Sequence, residues 1–199
     1  LAGNRKFLGF VSVALFFYMT WHMDWTLYFI GQTQYLGMNE AWLSYVNIGN
    51  ALIQFLTMGI WSKINSKQGV RFAIIFGSLG LALCPVGMII STSINSAHAK
   101  LIFLILNTIF NITLATTSLN ILQCLLQVIP ERNKTLNISI YTSLVMLSNG
   151  IMPLVGVAIY QKLGGDLRAF HIIFWIIFIL RLIATFLWAI RWWMLKDEA

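Results

Sequence analysis

Six long apolar stretches divide this 199-residue chain, and the gaps between them are short and polar. Each stretch is about 21 residues or longer, which at 1.5 Å rise per helical residue covers a hydrocarbon core of roughly 30 Å. We therefore expect six transmembrane helices, over residues 8–31, 41–61, 72–93, 100–128, 136–160 and 170–194. The pattern predicts an all-α integral membrane protein whose single six-span domain covers residues 1–199.

Positive charge is concentrated in every second gap between these stretches. Of the 13 Lys and Arg residues, nine lie in odd-numbered polar segments, three lie in even-numbered ones, and Arg181 lies inside a span. Cytoplasmic loops carry an excess of Lys and Arg. A multi-pass protein of the inner or plasma membrane with both termini in the cytoplasm is therefore expected, and the count agrees, because an even number of spans places both termini on the same side. The odd segments hold Arg5, Lys6, Lys63, Lys67, Arg71, Arg132, Lys134, Arg191 and Lys196, and the even ones hold Lys100, Lys162 and Arg168.

The composition argues against several other classes of protein. Hydrophobic residues make up 59% of the chain and charged residues 10%, whereas a soluble domain has about 25% charged residues. The net charge of +7 comes from cations beside spans, where anionic lipid accounts for them, so no nucleic-acid partner is expected. Cys84 and Cys124 lie within spans, without metal-ligand spacing, and neither a zinc-protease nor a serine-nucleophile motif occurs. We expect no metal, no cofactor and no enzymatic activity.

The gap between the second and third spans, residues 62–71, holds the most informative motif. It predicts a basic conformational loop that resembles the Gly-x-x-x-Asp-Arg/Lys-x-Gly-x-Arg signature of the major facilitator superfamily. The sequence departs from that signature where Ser62 stands for the first Gly and Ser66 for the Asp, and loss of the Asp is more usual in C-terminal halves of the family. The positions that carry the resemblance are Ser62, Ser66, Lys67, Gly69 and Arg71.

The first span extends the resemblance. Its Trp21-x-Met23-x-Trp25 and Tyr28, followed by the segment 36–42, resemble a little-characterised bacterial branch of that superfamily that includes proposed multidrug exporters. The resemblance implies the C-terminal six-helix half of a transporter, built as three helices repeated with inverted topology. It also implies that spans one, two, four and five line a solute cavity, while spans three and six face outward.

The function implied by this resemblance is secondary active transport of a small solute by alternating access. The partner would be the N-terminal six-helix half of the same transporter, or a second copy of this half, within the lipid bilayer. Proton-coupled efflux of lipophilic or cationic compounds, as in an antiporter, is the favoured form. Uptake of a polar nutrient, such as a sugar or organic ion, is the rival. A third possibility is a truncated half that does not transport and acts as a membrane interaction module.

Polar and aromatic residues within the spans supply the expected lining of the cavity. Asn47, Asn50 and Gln54 share one face of the second span. Aromatic rings beside a carboxylate can hold lipophilic cations by cation–π attraction. Such polar residues also join membrane helices by hydrogen bonds, which leaves a packing role open for each of them. The lining candidates are Trp21, Trp25, Tyr28, Asn47, Asn50, Gln54, Asn107, Asn111, Asn137 and Tyr141.

Asp24, His22 and Arg181 are the candidates for proton coupling and transport. Burying a charge in hydrocarbon costs at least about 2.5 kcal/mol, and Asp24 is the sole carboxylate inside a predicted span. It can carry a proton, bind a cationic solute, or lie wetted at the mouth of the cavity. His22 is either a proton relay or an aromatic-lined core histidine. Arg181 lies too deep to reach the interface, so it should pair with a carbonyl, a polar group on a neighbouring span, or the other half.

Overall fold

The computed structural model describes residues 5–94, 97–130 and 133–194. Within these residues the chain is all-α, as expected, and contains no strand. Arg132 and Lys196, two of the cations behind the expected topology, lie outside the described residues. The helices are α1 (Arg5–His22), α2 (Trp25–Ile30), α3 (Glu40–Gln68), α4 (Val70–Ser93), α5 (Ala99–Phe110), α6 (Leu114–Val128), α7 (Lys134–Lys162) and α8 (Leu167–Met194).

Five helical segments of the described chain are long and apolar enough to cross a membrane. They coincide with the predicted spans one, three, four, five and six. The second span corresponds to α3, which has 29 residues and is long enough, but is interrupted by more polar residues than the others. By length and composition the chain is therefore compatible with a multi-pass membrane protein. The five segments are Lys6–Tyr35, Val70–Ser93, Ala99–Val128, Lys134–Lys162 and Leu167–Met194.

The helix α3 continues well past the predicted end of the second span. We expected a loop over 62–71, but α3 extends to Gln68 and the chain turns only at Gly69, whose φ is +83°. Glycine adopts such a backbone angle without steric cost. The helix continues because nothing between Ser62 and Gln68 breaks it, and the Ser66 hydroxyl donates to the Lys63 carbonyl at 2.9 Å within the helix. The predicted loop is in fact a helix end followed by a one-residue turn.

The helices α4 and α8 form the centre of the bundle. They pack along each other, and half of the 24 residues of α4 are buried. Small residues allow this close packing, since a Cβ added to Gly77 would lie 2.3 Å from the Thr117 hydroxyl oxygen. The expectation that spans three and six simply face outward is therefore wrong for this bundle. An apolar helix suits burial as well as lipid contact. Both α4 and α8 also expose apolar side chains, such as Phe76 on α4 and Phe186 on α8.

The first and fourth spans are interrupted near their middle, which the sequence did not predict. In the first, α1 and α2 are separated at residues 23–24, and α2 continues into a π-helical segment, Gly31–Tyr35. In the fourth, the 3₁₀ turn Asn111–Thr113 separates α5 from α6. There the Trp61 indole N–H of α3 donates to the Ile112 carbonyl at 2.8 Å. Such interruptions often occur at functional sites, because they turn backbone carbonyls toward other partners.

Candidate functional site

A cavity of about 400 Å³ lies between the first, second and fourth spans, against α4 and α8. Its volume falls within the range of small-molecule sites, roughly 300–1,000 Å³. Both interrupted spans contribute to its wall, which contains indole, phenol and amide side chains. Its lining residues are Trp21, Asp24, Trp25, Tyr28, Gln32, Val46, Asn47, Asn50, Leu81, Cys84, Asn107, Asn111, Leu114 and Arg181.

Asp24 and Arg181 form a buried ion pair on the wall of this cavity. The Arg181 Nη2 donates to both carboxylate oxygens of Asp24, at 2.8 and 2.7 Å. The two side chains expose only 1% and 3% of their surface. An unpaired charge at this depth would cost several kcal/mol, so each side chain makes the burial of the other tolerable. The pair ties the interruption between α1 and α2 to the middle of α8.

The remaining donors of Arg181 are only partly satisfied. Its Nη1 donates to the Leu81 carbonyl of α4 at 2.8 Å, and its Nη2 also reaches the Trp21 carbonyl at 3.3 Å. Its Nε is buried and has no hydrogen-bond partner among the described residues, and the same holds for the Tyr28 hydroxyl. More than nine in ten buried polar groups are normally paired. Two such groups on one cavity are therefore a feature that requires an explanation.

Amide side chains from the second and fourth spans form a further polar part of the cavity wall. The Asn107 Nδ2 on α5 donates to the Asn50 Oδ1 on α3 at 3.0 Å, which joins the second and fourth spans. The Asn111 Nδ2 donates to the Asn107 carbonyl at 2.7 Å, beside the 3₁₀ turn. Asn47 lies on the same wall and is exposed. These groups offer both donors and acceptors to a polar solute.

Seven of the ten lining candidates predicted from the sequence lie on this cavity, and three do not. The exceptions are Gln54, Asn137 and Tyr141. The last two belong to α7, which packs against α1 rather than facing the cavity. The Tyr141 ring lies 5.9 Å from the Phe10 ring, centroid to centroid, within the apolar core. The expectation that the fifth span lines the cavity is therefore wrong for this bundle.

His22 is buried away from the cavity. Its Nδ1 shares a hydrogen bond of 3.1 Å with the Ser148 hydroxyl of α7. Its ring stacks on Tyr18 at 5.5 Å and meets the Trp25 ring edge-on at 4.8 Å. This is the environment of an aromatic-lined core histidine, with a side-chain hydroxyl as its partner. The site gives His22 no direct contact with Asp24 or Arg181.

Gly156 of α7 packs directly against the interruption in the first span. A Cβ added at this position would lie 2.1 Å from the Met23 carbonyl oxygen. No side chain fits in that space, so glycine permits the approach of α7 to the backbone beside Asp24. The helix α7 thus supports the site without lining it.

A second cavity, of about 460 Å³, lies where the last two turns of α3 face α6. The half-buried Asn65 on its wall pairs with the buried Asn120, and the two amides donate to each other's Oδ1 at 2.8 and 3.2 Å. Of the residues predicted as a conformational loop, Ser62 and Ser66 line this cavity. The remaining three are Lys67 in the last turn of α3, Gly69 at the turn and Arg71 in the first turn of α4.

Sequence reasoning missed five residues of the main cavity, namely Gln32, Val46, Leu81, Cys84 and Leu114. Gln32 follows Tyr28 by four residues, which places it one turn further on the same helical face. It was missed because the first span was expected to end at residue 31. Leu81 and Cys84 carried no comparable signal, since they are apolar or small residues on a span expected to face outward.

Comparisons with known proteins identify no relative. No protein-family model, no curated protein and no solved structure matches the chain. The cavity, the ion pair and the interrupted spans are therefore the features from which a function is inferred.

Proposed function

We propose that the chain is one half of a secondary active transporter, which moves a small solute by alternating access. The observation that carries this proposal is the cavity of about 400 Å³, with its indole, phenol, amide and ion-pair lining, inside a bundle of apolar helices. Solute sites of secondary transporters lie near the membrane midplane and use interrupted helices. The two interrupted spans of this bundle are both part of the cavity wall.

The order of the helices supports a 3+3 inverted repeat of the major facilitator kind. The interrupted spans are the first and the fourth, which are equivalent positions in such a repeat. The second and fifth spans, α3 and α7, have 29 residues each, and the third and sixth pack against each other. In this proposal a partner half, or a second copy, completes the cavity. The protein lies in the inner or plasma membrane with both termini in the cytoplasm.

The ion pair is the proposed coupling element. A proton on Asp24 removes the charge that holds Arg181, and so weakens the link between the α1–α2 interruption and α8. Deprotonation restores that link. Because the link joins two different spans, the protonation state of Asp24 can bias their relative position, which is what coupling requires. Proton-driven transport would then alternate between these two arrangements.

Export of lipophilic cations in exchange for protons is a second candidate, favoured by the aromatic wall. Trp21 and Trp25 both line the cavity, with ring centroids 5.9 Å apart in an edge-on arrangement, next to Asp24. Cation–π contact with such rings contributes about 0.5–2 kcal/mol. A cationic solute must also take the Asp24 carboxylate from Arg181, which keeps its own charge.

Reconstitution tests the proposal directly. The full-length transporter, placed in proteoliposomes with an imposed pH gradient, should show solute-dependent proton flux above that of protein-free liposomes, which neutral benzoic acid crosses unaided. Benzoate, benzamide and tetraphenylphosphonium serve as an anionic, a neutral and a cationic probe. The Asp24→Asn variant should lose the flux while retaining its helical circular dichroism, and Glu40→Gln, which alters an exposed acid, should retain it. Solute-dependent flux that is undiminished in Asp24→Asn would contradict the assignment of the coupling element.

A further inference from the structure

We propose that the cavity binds one proton and one small organic carboxylate together, the proton on Asp24 and the anion on Arg181 and Tyr28. This inference rests on the proposed transport function and names the class of solute. The solute would be a monoanion with an apolar body, and its movement with one proton would carry no net charge.

The guanidinium of Arg181 has a donor left for an anion. Arginine holds a carboxylate best through two parallel N–H donors, and the edge formed by Nε and Nη2 is one that can do so. Asp24 accepts from Nη2 alone, while Nη1 is occupied by the Leu81 carbonyl. The buried Nε has no partner among the described residues. The Nη2 already donates to Asp24 and to the Trp21 carbonyl, so an incoming carboxylate would accept from Nε and replace Asp24 on Nη2 once Asp24 carries a proton.

Tyr28 supplies a second donor on the same cavity. Its hydroxyl is buried without a hydrogen-bond partner in the described part of the chain. Tyr28 follows Asp24 by four residues, so the two share a helical face, and both line the cavity. A buried hydroxyl without an acceptor costs free energy. An oxygen of the bound carboxylate would be the missing acceptor.

The charges of the pair favour an anion with a proton over a cation. When Asp24 is ionised, the pair is neutral, and an added anion would leave an uncompensated negative charge. When Asp24 is protonated, Arg181 keeps a positive charge, because a guanidinium is not deprotonated in proteins. An anion then neutralises that charge. A cation on Asp24 would instead leave Arg181 without a counter-ion.

Asp24 is the group that can exchange the proton. The titratable or charged groups near its carboxylate are Arg181 from α8, Tyr28 from α2 and Cys84 from α4. The helix α7 approaches this part of the chain through Gly156, which has no titratable group and packs on the Met23 carbonyl. His22 is on the adjacent turn and is hydrogen-bonded elsewhere. Since Arg181 stays charged, uptake of a proton with the anion is assigned to the Asp24 carboxylate.

The rest of the wall fits the organic part of such a solute. The indoles of Trp21 and Trp25 offer an apolar surface beside the ion pair, and Leu81 and Leu114 extend it. A cavity of about 400 Å³ has room for a single aromatic ring with one carboxylate. Benzoate is therefore a suitable probe, and benzamide and benzylamine are matched neutral and cationic molecules of similar shape.

Proton uptake during binding tests the inference on the unmodified protein. The full-length protein in weakly buffered detergent at pH 7 is titrated with benzoate, while tryptophan fluorescence reports binding and a pH electrode reports protons. We expect saturable binding with uptake of about one proton per benzoate, and an affinity that rises about tenfold for each unit fall in pH. Benzamide and benzylamine should bind at least about tenfold more weakly, since neither supplies an anion to Arg181. Benzoate binding without proton uptake, or equal binding of benzamide, would overturn the inference.

Single substitutions separate the proton site on Asp24 from the anion site on Arg181 and Tyr28. Asp24→Asn should bind benzoate with no proton uptake and no pH dependence, and benzoate should raise its thermal midpoint more than that of the unmodified protein. The reason is that the anion replaces the lost counter-ion of Arg181. Tyr28→Phe should weaken benzoate binding by about tenfold, as expected for one hydrogen bond to a charged group. Arg168 is an exposed arginine at the start of α8, the helix that carries Arg181, and Arg168→Gln should leave benzoate binding and proton uptake unchanged. Failure of benzoate to stabilise Asp24→Asn would count against the anion site.

The two proposals fail in different ways. Benzoate binding with proton uptake, but no benzoate-driven flux in proteoliposomes, would keep the anion site and contradict transport. Proton flux driven by tetraphenylphosphonium or benzamide, but not by benzoate, would keep transport and contradict the anion site. Absence of benzoate binding in the unmodified protein would overturn the inference outright.

Discussion

Replacement of Asp24 alone should destabilise the fold more than removal of both charges of the ion pair. Asp24→Asn keeps the shape of the side chain but leaves the Arg181 charge buried without a counter-ion. Both side chains are at most 3% exposed, so water cannot compensate. Breaking a buried pair by removing one partner costs about 3–5 kcal/mol, which is a roughly 10²- to 5 × 10³-fold change in the unfolding equilibrium.

The double variant should recover most of this loss. Asp24→Asn with Arg181→Gln removes both charges, and the new amide can still donate to the Leu81 or Trp21 carbonyl. The double variant still loses the hydrogen bonding between the two charged side chains, and a hydrogen bond to a charged group contributes about 1.5–3 kcal/mol. We therefore expect each single variant to lose about 3–5 kcal/mol and the double variant to lose less than either.

Reversible unfolding in mixed detergent micelles, followed by far-ultraviolet circular dichroism, gives the free energies for this double-mutant cycle. Glu40→Gln is the control, because Glu40 is exposed, and should lie within about 0.5 kcal/mol of the unmodified protein. A double variant whose loss equals the sum of the single losses would refute the reasoning. So would single variants that each cost less than about 1 kcal/mol, because they would show that neither charge depends on the other.

Two further predictions concern packing and topology. Gly156→Ala should lower stability by about 1–3 kcal/mol, because its Cβ would lie 2.1 Å from the Met23 carbonyl oxygen. Gly150→Ala on the same helix, with no atom within 4 Å of its Cβ, should stabilise the protein by up to about 1 kcal/mol; equal thermal midpoints for the two variants would contradict the close approach. In intact cells, a single cysteine at position 39 should react with an impermeant thiol reagent added outside, while one at position 66 should be spared. Strong outside labelling at position 66 would reverse the expected topology.

The helical content and most span limits could be predicted from the sequence, because apolar runs of this length are typical of membrane-spanning helices. The end of the second span could not, since polar residues such as Ser62 and Lys63 continue a helix as readily as they form a loop. The interruptions were also unpredictable from local signals. Pro85 and Pro153 lie inside the uninterrupted helices α4 and α7, whereas the first span breaks at Asp24, without a proline or glycine.

The candidate site was predicted in its parts but not in its assembly. The residues that line the cavity are polar or aromatic groups within apolar runs, and such groups are visible in the sequence. That Asp24 pairs with Arg181 depends on how α8 packs against α1, across a separation of 157 residues. The orientation of α7 likewise follows from its packing on the Met23 backbone through Gly156. Periodicity within one helix contains no information about either contact.

In the proposed function, the cavity is a solute site that opens in turn to the two sides of a membrane. Alternating access is tested most directly by a cysteine at position 47, where Asn47 is exposed on the cavity wall, in full-length protein whose own cysteines, Cys84 and Cys124 among them, have been replaced by alanine. Right-side-out and inside-out membrane vesicles are treated with an impermeant thiol reagent. We expect labelling of position 47 in both preparations, and a benzoate-dependent change in the ratio of the two rates. Labelling from one side only, at rates that no added solute changes, would exclude alternating access of this cavity.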